Sequence, residues 1–186
     1  PSQQRHPRFA GSPDGKWIYM SGVGSGGQDG GVSSWPVVLR RATLGNETAQ
    51  PFIGLWSRNQ RGPYEFSPGS GNQELNGPRG LDCDAQGRIY VVDSMNNRVQ
   101  SFSPEGKYLH SIPADRPKLV RVNQKTGAVY VSHSGRVEGK SLDRVSKFSS
   151  YDNPKEDFHV DQLGAAAFGL DSWTAKQDSV SAASTT

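Results

Sequence analysis

Short runs of apolar, β-favouring residues recur along the chain, each closed by a turn rich in glycine. Nowhere do apolar positions repeat at helical spacing over three turns. The clearest stretch reads Gly80-Leu81-Asp82-Cys83-Asp84, then Gln86-Gly87, then Ile89-Tyr90-Val91-Val92. Leu81 and Cys83 alternate with acidic neighbours, as on a strand with one drier face. Gln86-Gly87 supplies a tight turn, and the apolar run after it suits burial between two packed sheets. Asn96-Asn97 turns into a third strand holding Val99 and Phe102. Glu105-Gly106 then leads to a fourth, outer strand at Tyr108-Leu109. The pattern predicts four short antiparallel strands, with helix a minority state.

The same order returns twice. Downstream, Leu119-Val120-Arg121-Val122, a turn at Thr126-Gly127 and Val129-Tyr130-Val131-Ser132 repeat the first two strands, and Arg144-Val145-Ser146-Lys147-Phe148-Ser149 matches Arg98-Val99-Gln100-Ser101-Phe102-Ser103 position for position. Upstream, Pro13-Asp14-Gly15 and Trp17-Ile18-Tyr19-Met20 place Tyr19 where Tyr90 and Tyr130 stand, with Val37-Val38-Leu39 as third strand and Phe52-Ile53 as fourth. Phe168-Gly169-Leu170-Asp171 echoes Arg79-Gly80-Leu81-Asp82 and starts another unit. Four strands in about 40 residues are the size of one propeller blade. The reading is therefore all-β: an incomplete, open-arc β-propeller over residues 1–173, with blades at 7–54, 77–113 and 117–160, a fourth beginning near 166, and a flexible Ser/Ala/Thr-rich tail at 174–186. Residues 22–34, 55–76 and 134–143 read as expanded loops where specificity would reside.

The middle unit resembles the NHL repeat family, through Pro78-Arg79-Gly80-Leu81, Asp84, Gly87, Ile89-Tyr90-Val91, Asp93-Ser94, Asn97-Arg98-Val99-Gln100, Phe102 and Gly106-Lys107. The following unit departs from it, with Ser132-His133 where Asp93-Ser94 stand. The resemblance implies a propeller, commonly six-bladed, in which the Asp and Asn-Arg elements mostly support the turn between second and third strands. Fold follows from it more directly than function, because propellers host enzymes, RNA binders and scaffolds alike.

Composition narrows the chemistry. Among 186 residues, 21 Lys and Arg stand against 18 Asp and Glu with the signs interspersed, so a net charge of +3 describes a solvated surface rather than a nucleic-acid tail. No apolar stretch is long enough for a membrane-spanning helix. Cys83 is the single cysteine, which removes any intrachain disulfide or all-cysteine zinc site and leaves a buried thiol as the expected role. The chain opens Pro1-Ser2-Gln3 without Met or an apolar leader, as an excerpt of a longer polypeptide would; a secreted or periplasmic setting is the expectation. His6, His110, His133 and His159 are too scattered for a paired metal motif. Asp82, Asp84 and Asp171 offer carboxylates to a hard cation such as Ca²⁺, yet strand alternation accounts for them equally well. The glycine-rich Gly24-Ser25-Gly26-Gly27 lacks the following Lys and helix of a phosphate loop. Asn46-Glu47-Thr48 fits a glycosylation sequon that matters only in a secreted eukaryotic protein.

The expectation is a non-enzymatic binding or scaffold module presenting a propeller face to a protein, glycan or other ligand, with no cofactor required and neither Ca²⁺ nor Zn²⁺ ruled out. Candidate ligand-facing residues are Arg79, Asp93, Asn97, Arg98, Lys118, His133 and Arg136. No catalytic residue is assigned. The alternatives implied by related propellers are a metal-dependent lactonase-like or amidating-lyase-like enzyme, and an RNA-binding NHL domain using its basic rim.

Overall fold

The computed structural model describes residues 7–26, 32–45, 47–58, 64–162, 165–170 and 180–184. The first blade comprises β1 (Arg8–Gly11), β2 (Trp17–Ser21), a small hairpin of β3 (Gly24–Gly26) and β4 (Val32–Ser34), then β5 (Val37–Ala42), β6 (Gln50–Arg58) and β7 (Tyr64–Ser67). The second is β8 (Pro78–Cys83), β9 (Ile89–Asp93), β10 (Arg98–Phe102) and β11 (Tyr108–Pro113). The third is β12 (Leu119–Val122), β13 (Val129–Val137), β14 (Lys140–Phe148) and β15 (Glu156–Gln162). β16 (Ala165–Leu170) and β17 (Val180–Ser184) form a separate two-stranded antiparallel sheet.

Among the described residues every pairing is antiparallel, and the sheet orders β1-β2-β5-β6-β7, β8 to β11 and β12 to β15 are simple meanders. This is an incomplete propeller: stacked blades in an open arc. In such a meander the connections between strands two and three, and from one blade to the next, lie on one face. Those between strands one and two, and three and four, lie on the other.

The apolar run of β9, Ile89 to Val92, is buried at all four positions because it serves two interfaces at once. Ile89 and Val91 point toward the first blade, where they join Tyr19, Val38, Ile53, Leu75, Leu81, Cys83 and Phe102. Tyr90 and Val92 point toward the third, against Val120, Val122, Val129, Val131 and Phe148. Period-two alternation thus stacks one strand between two sheets. The inner strands approach closely where Gly80 stands: a Cβ there would sit 3.2 Å from the Lys118 carbonyl oxygen and 3.2 Å from Val92. The repeat extends to its irregularities. A register shift falls between Ser101 and Phe102 in β10–β11 and between Lys147 and Phe148 in β14–β15, the same place in each blade.

The expanded loops are, in large part, strand. Residues 134–143 continue β13 and β14 as a ribbon, paired from Ser134–Asp143 to Val137–Lys140 and closed by Glu138 and Gly139, both at positive φ. Residues 22–34 contain the β3–β4 hairpin, and 55–76 begin with β6 extended to pair with β7. In each case backbone pairing carries on past the blade, through stretches too short or too glycine-rich to show side-chain alternation. The tail is also corrected in part: Val180–Ser184 is a strand, although Ser and Ala give it no visible hydrophobic period.

Candidate functional site

The face bearing the strand 2–3 and blade-to-blade connections holds the candidate residues, and three of them turn out to hold the frame together. Asp93 ends β9 fully buried. Its Oδ1 accepts the backbone N–H of Asn76 at 2.7 Å; its Oδ2 accepts from Asn96 Nδ2 at 2.8 Å, Arg98 Nε at 2.8 Å and Gln100 Nε2 at 3.2 Å. The partners then reach further. Arg98 donates to the carbonyls of Gly71 (2.8 Å) and Glu74 (3.1 Å), Gln100 to Glu74 (2.7 Å), and Asn96 to Gly69 (2.8 Å). Asp93, Arg98 and Gln100 of the repeat, with Asn96, therefore clamp residues 69–76, the connector arriving from the first blade. A buried carboxylate is tolerable there because charged and neutral donors surround it.

Asn97 does the same for the outgoing connector. It takes the left-handed conformation (φ 53°, ψ 46°) that Asn tolerates better than most residues. Its carbonyl accepts the Ala114 N–H at 3.0 Å and its Oδ1 accepts the Arg116 N–H at 2.9 Å.

The third blade replaces this clamp with a neutral one. The register pairs His133 with Arg144 as it pairs Asp93 with Arg98, and Ser146 stands where Gln100 does. His133 Nδ1–H donates to the Ser134 carbonyl at 2.8 Å, so Nε2 is left to accept from the Ser146 hydroxyl, also at 2.8 Å. Burial pushes the His133 pKa below its ordinary value, and the Arg144 charge adds to this, which favours the neutral ring. Arg144, without a carboxylate at position 133, turns outward to a two-point ion pair with Asp161 at 2.6 and 3.0 Å.

A pH prediction follows for His133. Its folded pKa lies below the unfolded value, so below about pH 6.5 the unfolded chain binds the proton more readily and stability falls as pH drops. His133→Gln should flatten that part of the melting-temperature profile between pH 7 and 5. An unchanged slope would show that other groups set it.

The remaining candidates are more accessible. Lys118 precedes β12 and pairs with Asp143 at the base of the ribbon. Arg136 is exposed on the ribbon, and Arg79 lies half-buried on β8. These basic residues share the face but are spread over blades two and three. Asp84, offered above for a cation, is committed elsewhere: it accepts from the N–H groups of Gln86 and Arg88, from Arg88 Nε at 2.5 Å and from the Tyr90 hydroxyl at 3.0 Å. His110 lies on β11, and His159 on β15 contacts Glu156 at 2.6 Å. His6 and Asp171 fall outside the described residues. Among the described residues, no group of three or more His, Cys, Asp or Glu is placed to hold a metal ion. No described helix is long and apolar enough to cross a membrane.

Sequence reasoning missed the acceptors of the Asp93 clamp, which are backbone carbonyls and leave no side-chain signal. It also missed the Arg40 guanidinium held between the rings of Trp17 and Phe52, at 4.2 and 4.0 Å.

The NHL repeat family matches residues 75–102, spanning β8, β9 and β10 and including Asp93, Asn96, Arg98 and Gln100. The middle blade thus matches an NHL repeat, within an incomplete propeller. Its fold is similar to part of hydrazine synthase from Kuenenia stuttgartiensis (12% identity, TM-score 0.54, covering 85% of this chain and 36% of that one). It is also similar to a eukaryotic initiation factor (15% identity, TM-score 0.51, covering 88% and 36%). A gluconolactonase from Xanthomonas campestris aligns at 17% identity and TM-score 0.46, over 69% of this chain and 35% of that one. The chain spans about a third of the length of these structures. No curated protein matches its sequence.

Proposed function

We propose that the chain is a non-enzymatic binding module that meets a protein or glycan ligand on the face of the strand 2–3 and blade-to-blade connections. The observation that carries this reading is the placement of the extensions. β3–β4, the β6–β7 pairing and the β13–β14 ribbon all lie in connections of that one face. They rise from a frame whose central connectors are fixed by Asp93, Asn97 and Arg98, so these three residues position the surface rather than touch the ligand. Arg79, Lys118 and Arg136 supply charge there, and His133 supports the ribbon from below. Exposed Leu55 and Trp56 on β6 add apolar contact area on the first blade, and Val137 adds it on the ribbon beside Arg136, Glu138 and Lys140. Aromatic and arginine side chains within a polar rim are the usual chemistry of a protein contact surface.

The test is binding on peptide and glycan arrays with the double variant Arg136→Glu/Lys140→Glu as the control. Both side chains are exposed, so the melting temperature should hold while array binding drops roughly tenfold or more. Equal binding by the variant would remove the ribbon from the interface. Failure on both arrays, together with metal-dependent hydrolysis of a simple lactone or salt-sensitive retention of single-stranded RNA, would overturn the reading in favour of an enzyme or an RNA binder.

A further inference from the structure

On the opposite face, the turns between first and second strands of the three blades gather around a cleft of about 500 Å³. That volume lies within the usual range for small-molecule sites, roughly 300–1,000 Å³. Three blades contribute its walls: Pro13 from the first, Cys83 and Ala85 from the second, and Lys125 from the third, with Asp82 set between the inner strands. Gln124 bridges blades at the edge by donating to the Cys83 carbonyl at 2.8 Å.

The polar groups of the cleft are of opposite sign. Asp82 is pinned by two backbone donors, Cys83 N–H on Oδ1 at 3.0 Å and Val122 N–H on Oδ2 at 2.9 Å. A carboxylate offers about four acceptor positions, so about two remain for a ligand. Neighbouring Asp84 has no such capacity, being engaged by Arg88, Tyr90 and two backbone N–H groups. Lys125 is exposed, and its turn is fixed by the Asn123 side chain accepting the Lys125 N–H at 2.9 Å. Burial holds the Asp82 carboxyl above its usual range against the opposing pull of the Val122 and Cys83 N–H groups and the Arg121 charge, so a further cation at its open positions favours the charged form.

These features discriminate between ligand classes. A simple amine satisfies Asp82 but faces the Lys125 ammonium. A simple carboxylate satisfies Lys125 but faces the Asp82 and Asp84 charges. A wholly apolar molecule covers the remaining Asp82 acceptor positions without supplying a donor, which is costly. We propose that the cleft binds an amino-acid-sized zwitterion, its ammonium on Asp82, its carboxylate on Lys125 and an apolar side chain against Pro13, Cys83 and Ala85. This site is separate from the face assigned above and does not depend on that assignment.

Gly11 provides the control. It lines the cleft at the end of β1, and a Cβ built there meets nothing nearer than the Trp17 carbonyl oxygen at 4.0 Å. Gly11→Leu therefore adds bulk at the wall of the cleft without a clash at its Cβ. The experiment is calorimetric titration of the full chain with L-leucine, isoamylamine and 4-methylpentanoate, at up to about 10 mM, where a site of millimolar Kd fills. Leucine should bind, and each singly charged analogue should bind roughly tenfold more weakly. Lys125→Ala should abolish the advantage of leucine over isoamylamine, Asp82→Asn its advantage over 4-methylpentanoate, and Gly11→Leu all binding at an unchanged melting temperature. Asp82→Asn removes a structural acceptor, so Lys125→Ala and Gly11→Leu carry the test if that variant fails to fold. No leucine binding, isoamylamine binding as tightly as leucine, or leucine binding intact in Gly11→Leu would each overturn the proposal.

Discussion

Replacing Asp93 with Ala should destabilise the chain by about 3–5 kcal/mol, the range for removing one partner of a buried charged pair. The carboxylate is fully buried and receives the Asn76 N–H, two side-chain amides and the Arg98 guanidinium. Alanine leaves all four donors without that acceptor, and Arg98 keeps a charge that is largely out of solvent. The damage should spread beyond β9, because the same donors fix residues 69–76 through the carbonyls of Gly69, Gly71 and Glu74. Urea unfolding should show a lower midpoint. Limited proteolysis should find new cleavage at 69–76 before the blade cores open. The second variant Asp93→Ala/Arg98→Ala separates contact from context: it should recover part of the loss, since the uncompensated guanidinium goes with it. Additive losses in the two single variants would show that the residues are not coupled as described.

The second large effect belongs to the repeat itself. Phe102→Ala and Phe148→Ala should each cost about 3–5 kcal/mol, the usual range for deleting a buried phenyl ring. Phe102 lies in the core between the first and second blades and Phe148 in the core between the second and third. Each ring sits one residue beyond an equivalent register shift and faces the blade before its own. The two variants should therefore lose similar amounts of stability in chemical denaturation. A loss below about 1 kcal/mol in one of them, the ordinary surface range being smaller still, would show that the two interfaces are not built alike.

Much of this architecture was legible before any coordinates, because a propeller repeats its core chemistry. Tyr19, Tyr90 and Tyr130 marked three second strands, and all three are buried. The match of Arg144 to Phe148 with Arg98 to Phe102 located equivalent third strands, and Cys83 is the buried thiol its alternating position implied. The ribbon was not legible, since Ser134-Gly135-Arg136-Val137 has the composition of a loop and gains its strand character only from the partner across it. The divergence at His133 was visible in the sequence, but its consequence was not. That Arg144 abandons the inner position for Asp161 depends on a residue of the outer strand, which no local motif connects to it. The family resemblance implied that Asp93, Asn97 and Arg98 support the turn after the second strand, not that they fix the connectors on either side of the blade. The clamp's targets, being backbone carbonyls, could be named only from the structure.

Hydrogen exchange of the native chain tests the central claim most directly, because stacked blades bury a middle sheet more deeply than its neighbours. The amides of β9 and β10, covered by a blade on either side, should exchange slowest, followed by those of β12 and the first half of β13. The outer strands β11 and β15 and the ribbon beyond Ser134 should exchange well before them. Protection that is uniform across all strands, or strongest in the outer ones, would contradict the stacked-blade account.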